Sequence, residues 1–333
     1  MRNGQTIFFE QPPLVTHWAS VAGRREGRGP LGRQFDTVCP QTSMGSPFWE
    51  HAETLYQQTC YQLLQQKSGL SDSDLQALFA GDLQAQCTAS SYHARTCHVP
   101  YLGQYGACST MAQALGLAAV FCSAGFATHA AALTSSQFCA AERQYRLPLL
   151  YGGQRTPTAQ WTVTAAGGCI VSRTGSGIQL SAVTFGSVLD YGVTDVNNMG
   201  AARAPAAAHT LLSYLKDSGT QTADYDLIYT GDLGAVGSSL FLRILEEEGC
   251  PLYHHQDCGL LIYNRNQEKE VAAGGSGAGC SAAVLAADIL PKLASGVLHR
   301  VLLICTGALM STTRVQQKES IPAVAHLIFL CRP

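Results

Sequence analysis

Charge is what this 333-residue sequence has least of: Asp, Glu, Lys and Arg make up 13% of it, against 46% apolar residues. So few charges leave apolar surface uncovered on a lone subunit, which predicts burial against another molecule, a homodimer being the simplest case. Basic residues form no block or stripe and the formal net charge is −2, so nucleic acid is excluded as a partner. CxxC spacing is missing among the 13 cysteines. Scattered singly from Cys39 to Cys331, they exclude a clustered zinc site and read as reduced, mostly buried thiols of a cytosolic chain. No metal and no cofactor is expected. The first eleven residues are too polar for a secretory signal peptide. From Met111 to Leu133 there is no Asp, Glu, Lys or Arg, a length that would span a bilayer. Gly116, Ser123, Gly125 and His129 interrupt it, however, which predicts a buried helix and then a buried strand, not a transmembrane helix.

What the sequence does have is an internal repeat. Leu78–Ala85 (LFAGDLQA) returns as Ile228–Ala235 (IYTGDLGA), each a buried strand that ends in Gly-Asp-Leu and enters a helix. Gly106-Ala107-Cys108-Ser109 returns as Gly279-Cys280-Ser281; each opens an Ala-rich run that stops at a glycine, Gly125 or Gly296. Apolar strands follow at His129–Leu133 and Val301–Thr306. Further strands are expected at 159–172, 178–187 and 323–330, and amphipathic helices at 49–66 and 206–217. The Gly-, Arg- and Pro-rich stretch 23–45 reads as a loop. Alternating apolar strands and helices give an α/β fold of two similar halves, 1–175 and 176–333, with buried sheets and no linker between them.

Cys108, flanked by glycine at the start of a buried helix, sits where a nucleophile would be placed, because a helix N-terminus stabilises a thiolate. An unremarkable buried thiol at a close helix contact is the alternative. Its position resembles the nucleophilic cysteine of thiolases and β-ketoacyl synthases. Gly275–Ser281 (GSGAGCS) is similar to the thiolase GHPxGxS segment, and Cys305-Thr306-Gly307 to the CxG motif. The resemblance implies a thiolase-like α-β-α-β-α layering. It also exposes two departures. Ser276 stands where the motif has histidine, and Gly231-Asp232-Leu233 holds neither His nor Asn where the second base would be. Without a base, an ordinary cysteine is only about 3% thiolate at neutral pH. The expectation is a pocket that is not an enzyme site. The alternative is a β-ketoacyl synthase or acyltransferase that uses Cys108 with His129 or His299 as base.

One thiolase-like family departs in the same way, the stage V sporulation protein AD family of spore-forming bacteria. The segments similar to it include Gly4-Gln5-Thr6, 37–48, 105–111, 188–200, 254–259, 274–282 and 304–317. This resemblance implies binding of dipicolinic acid, with or without calcium, and support for its uptake into the developing spore. It further implies integral membrane subunits as partners, and a peripheral location on the cytoplasmic face of the spore inner membrane. The ligand-binding residues it implies are Cys108, Asp190 and Ser311, with Asp195 the other candidate for the site acid. Backbone N–H groups at Cys108 and Ser109 would receive a carboxylate. Ordinary roles are expected elsewhere. Asp82 and Asp232 should cap the helices after them; Arg155, Arg203 and Arg314 should be solvated. His254 and His255, neighbours on a strand, point to opposite faces and do not make a metal handle.

Overall fold

The computed structural model describes residues 1–145 and 155–333. Ten strands carry the architecture: β1 (Leu14–Ala22), β2 (Ala77–Gly81), β3 (Tyr101–Gln104), β4 (His129–Ser136), β5 (Ala165–Ser172), β6 (Ile178–Phe185), β7 (Leu227–Thr230), β8 (His255–Asp257), β9 (Arg300–Ala308) and β10 (Ala323–Cys331). They hydrogen-bond in the order β8-β7-β9-β10-β6-β1-β5-β4-β2-β3. Outward from the β6–β1 seam, the first half reads β1-β5-β4-β2-β3 and the second β6-β10-β9-β7-β8. Every strand of one half therefore has its counterpart five strands later. At the seam only Ile178 and Gln179 pair with Val15 and Leu14.

Eight helices matter here: α1 (Trp49–Ser68), α2 (Thr88–Ala94), α3 (Thr110–Ser123), α4 (Phe138–Tyr145), α5 (Met199–Ser218), α6 (Gly234–Glu247), α7 (Ala278–Ser295, with a π turn at Leu285–Ile289) and α8 (Thr312–Gln316). Helices α3 and α7 lie back to back between the two half-sheets. Met111, Leu115 and Ala118 from one, and Val284, Ile289 and Leu293 from the other, share a core with Ala130 and Ala132 of β4. The next residues of that strand, Ala131 and Leu133, face the opposite way into a second core with Tyr56, Cys60 and Leu64 of α1. A third core joins Leu211 and Tyr214 of α5 and Phe241 and Leu245 of α6 to Ile228, Leu302 and Leu327. Three cores separated by two half-sheets are the five layers of a thiolase-like fold. Side chains alternating between two buried faces are why these strands read as continuous apolar runs.

The stretch 111–133, free of Asp, Glu, Lys and Arg, falls on α3 and β4, a buried helix and a buried strand as expected. One helix, Ala278–Ser295, is long and apolar enough to cross a membrane by length and composition, and 78% of that window is buried inside the fold. Small residues let the layers touch. A Cβ on Gly167 of β5 would lie 2.3 Å from the Ala282 backbone of α7, so no side chain fits between strand and helix there.

One boundary differs with consequence. Helix α5 starts at Met199, seven residues before the expected start, and runs through Pro205; the Asn198 side chain accepts the Ala201 N–H at 3.2 Å as its cap. The extra turns carry Arg203.

Candidate functional site

A cavity of about 520 Å³ opens where the Cys108 turn, the loop after β9, the start of α5 and one face of α4 converge. The turn at Cys108 is strained. Ala107 takes a left-handed φ of 51°, which costs a non-glycine residue about 1–3 kcal/mol. Local bonds hold it: the Thr110 hydroxyl donates to the Ala107 carbonyl at 2.6 Å, and the Ser109 hydroxyl to that of Gly106 at 2.6 Å. The helix expected to open at Cys108 begins instead as a three-residue 3-10 turn. Its Ser109 N–H is committed to the Gly106 carbonyl at 3.1 Å, so it is not the free donor expected there. Behind the turn, a Cβ on Gly307 would lie 2.2 Å from the Gly106 oxygen. This glycine of the Cys-Thr-Gly motif lets β9 press against the Cys108 loop.

Beneath Cys108 lies a fully buried ion pair. Arg203 Nη1 donates to Asp232 Oδ2 at 2.5 Å, and both side chains are 0% exposed. The same carboxylate accepts the Ser276 hydroxyl at 2.8 Å, the Gly277 N–H at 2.9 Å and the Thr306 hydroxyl at 3.0 Å. Arg203 also donates to Gln160 Oε1 and to the Met199 carbonyl, and Gln160 returns its amide to the carbonyls of Asp232 and Gly275. A two-residue parallel ladder between Trp161–Thr162 and Gly275–Ser276 fixes the register of this layer. Ser276 is the link to the surface of the cavity: its hydroxyl lies 3.7 Å from the Cys108 sulfur.

Burial, and then the Asp232 charge, push the Cys108 thiol up to about 12. At neutral pH the thiolate is then on the order of 10⁻⁵ of the population. The two histidines that could have served as bases are remote. His129 opens β4, whereas it is the last residue of that strand, Ser136, that meets Gly279 at 3.1 Å; seven residues of strand span roughly 23 Å. His299 precedes β9, whose far end carries Gly307 to the Cys108 loop. Among the described residues lining the cavity none is a histidine.

The other sequence candidates scatter. Ser311 lines the cavity mouth beside Thr312. Asp190 does not line it: it is exposed, accepting from Gly192 N–H at 2.9 Å and from the Ser320 hydroxyl at 2.5 Å. Asp195 accepts the Asn197 N–H at 2.9 Å and also stays outside, although Val196 and Asn197 reach the cavity. Asp82 caps α2 through the Ser90 N–H at 2.8 Å. Asp232 does not cap α6. Asp257 takes that place, accepting the N–H groups of Leu233 and Gly234 at 2.7 and 3.0 Å, which frees Asp232 for Arg203. Arg314 is exposed and pairs with Glu319, while Arg155 pairs with Glu142 and stacks over Trp161. Arg203, expected in solvent, is the correction. Half-buried His255 meets the Thr230 hydroxyl at 2.9 Å, and His254 is exposed; among the described residues no His, Cys, Asp or Glu cluster could hold a metal.

Comparisons with known proteins bear on the family and the fold. A profile of the family described as Stage V sporulation protein AD matches residues 3–331. The stage V sporulation protein AD of Bacillus subtilis (strain 168) is 44% identical over 323 residues, 97% of this chain and 95% of that protein. Among solved structures, cerulenin-bound OleA of Xanthomonas campestris superposes with a TM-score of 0.63 at 11% identity, covering 99% of each chain. The 3-oxoacyl-[acyl-carrier-protein] synthase III of Aquifex aeolicus gives 0.56 at 10% identity, covering 96% of this chain and 99% of that one. These two likenesses establish the thiolase-like fold.

Proposed function

The chain belongs to the stage V sporulation protein AD family, and from that premise we propose that it binds dipicolinic acid, free or as its calcium chelate, in the Cys108 cavity and supports its uptake into the developing spore. The observation that carries this reading is the replacement of a base by an ion pair: where condensing chemistry needs a histidine beside the cysteine, this site has Ser276, Asp232 and Arg203. A neutral thiol with no histidine beside it does not attack a thioester at a useful rate, since losing the activating base costs about 10² to 10⁴ in rate, and the carboxylate in the cavity lining, Glu142, is paired with Arg155. The cavity itself remains. Its volume suits a small planar ligand, and Ser311 and Thr312 offer hydroxyl donors to carboxylates that cannot be buried unpaired.

In this reading Cys108 and Ser311 line the ligand. Asp190 acts from outside, bracing the loop that carries Val196 and Asn197 to the cavity. The protein works on the cytoplasmic face of the spore inner membrane beside integral membrane subunits, as a homodimer. Light scattering at micromolar concentration should return twice the chain mass; a strictly monomeric mass overturns the dimer.

Calorimetry with dipicolinate, with and without calcium, tests the ligand. Cys108→Trp should abolish binding by filling the cavity. Ser311→Ala should weaken it by about 0.5–1.5 kcal/mol, the worth of one hydrogen bond. No heat from the wild type at millimolar ligand sinks the proposal, and equal binding by Cys108→Trp moves the ligand elsewhere. Acyl-CoA labelling followed by intact mass separates the enzyme reading, which requires an acyl adduct on Cys108.

A further inference from the structure

The two-fold repeat places a second buried cluster opposite the first, and one of its two charges is inverted. Asp82 corresponds to Asp232 through the Gly-Asp-Leu repeat, and Ser135 to Thr306 through the strand registers. Arg203, fifth residue of α5, corresponds to Glu53, fifth residue of α1. One half therefore buries an acid with a base, and the other buries two acids, Glu53 at 1% exposure and Asp82 at 0%. Glu53 accepts the Ser135 hydroxyl at 2.8 Å and the Gln84 side-chain amide at 2.7 Å. Asp82 accepts the Gln84 N–H at 2.8 Å. Both acids thus grip one residue, and its neighbours Leu83 and Ala85 are cavity wall.

That wall is strained. Gln86 and Cys87 follow it with left-handed φ values of 63° and 54°, a conformation that persists only where surrounding contacts hold it. From the cavity side, Ala85 N–H donates to Gln144 Oε1 at 2.8 Å, and the Gln144 amide donates to the Leu83 carbonyl at 3.1 Å. The wall is held between a polar contact facing the ligand space and a buried acid pair behind it.

We propose that Glu53 is a positioning residue that with Asp82 clamps the Leu83–Ala85 wall through Gln84, so that the wall loosens as pH rises. Among the described residues, Asp82 and Glu50 of its own helix act on Glu53, and Cys87 after the wall and Tyr101 of β3 act on Asp82. The nearby cation, Arg143 of α4, is engaged by Glu50. Burial, and then the Asp82 charge, hold the Glu53 carboxyl up at about 8. Once the wall opens, Glu53 meets water and returns to an ordinary carboxyl pKa of about 4.3. Opening therefore releases a proton between these two values and becomes up to about tenfold easier per pH unit there. Above about 8 the dependence flattens, since both states are ionised.

Hydrogen exchange of the ligand-free protein reads this directly. Protection factors of amides 83–87, corrected for intrinsic exchange, should fall as pH rises from 5 to 8 and then level. Glu53→Gln, which keeps the Gln84 contact and cannot ionise, should remove most of the slope. A wild-type profile flat over this range, or an unchanged slope in Glu53→Gln, overturns the clamp. The consequence for ligand rests on the proposed function: dipicolinate should bind the wild type more weakly at pH 8 than at pH 6.5, and Glu53→Gln alike at both. If exchange behaves as stated but neither protein binds dipicolinate, the ligand reading fails and the clamp stands. If both bind with the same pH dependence, the clamp does not govern the cavity.

Discussion

Iodoacetamide at about pH 7.5 should label Cys108 at least about 10³-fold more slowly than a free thiol. A model thiol near pKa 8.5 is about 10% thiolate at that pH, whereas one at 12 is thiolate to a few parts in 10⁵. Alkylation follows the thiolate, so the ratio of these populations sets the expected lag before any steric exclusion is added. Two physical causes are separable. Burial removes water from the developing charge, and Asp232 opposes a second negative charge behind Ser276. The rate should rise about tenfold per pH unit up to the limit of the fold's alkaline stability. Peptide mass spectrometry after timed quenching gives the rate for Cys108 itself, with the urea-unfolded protein as the reactive control. Labelling of native Cys108 at the free-thiol rate would overturn the reading of this site as unactivated, and would make the enzyme alternative the better account.

Why the site was half legible in the sequence is instructive. Cys108, Ser276 and the Cys305-Thr306-Gly307 segment are local patterns, and the fold keeps them local: each sits on one turn at the end of one element. The five-layered architecture was legible for a similar reason, because a strand buried on both faces has to be apolar throughout, as β4 and β9 are. Arg203 was not legible. It lies in α5 ahead of Pro205, a residue that ordinarily ends a helix, so the expected helix began after it and the arginine was left in solvent. Nor could its partner be read. Asp232 follows a strand and precedes a helix, the usual place of a capping acid, and only Asp257, twenty-five residues on and beside it in space, relieves it of that duty. A signal did exist: the repeat pairs Asp232 with Asp82, and the fifth residues of α1 and α5 are both ionisable on the buried faces of their helices. Asp190 failed differently. Its match lies in a segment whose neighbours, Val196 and Asn197, do reach the cavity while its own side chain turns to Ser320.

The buried ion pair carries the other large effect. Arg203→Met should destabilise the protein by about 3–5 kcal/mol, because it leaves the Asp232 carboxylate in the interior without its cation. Other donors to that carboxylate persist, from Ser276, Gly277 and Thr306, but they are neutral, and Gln160 Oε1 loses its partner as well. A solvated arginine in the same place would cost a few tenths of a kcal/mol to replace, so the magnitude decides between the two placements. Asp232→Asn alone should also destabilise, by stranding the arginine. Together, Arg203→Met and Asp232→Asn should cost clearly less than the sum of the single changes, since neither charge is then left alone; residues in contact in one network couple by about 0.5–3 kcal/mol. Urea unfolding of the four proteins closes the cycle. Strict additivity, or an Arg203→Met cost below about 1 kcal/mol, would mean that the pair is not buried. Coupling of the expected sign would fix what stands in the base's place. The position beside Cys108 is then held by a carboxylate whose charge is matched by Arg203 and opposes a thiolate, where condensing chemistry would place a neutral base.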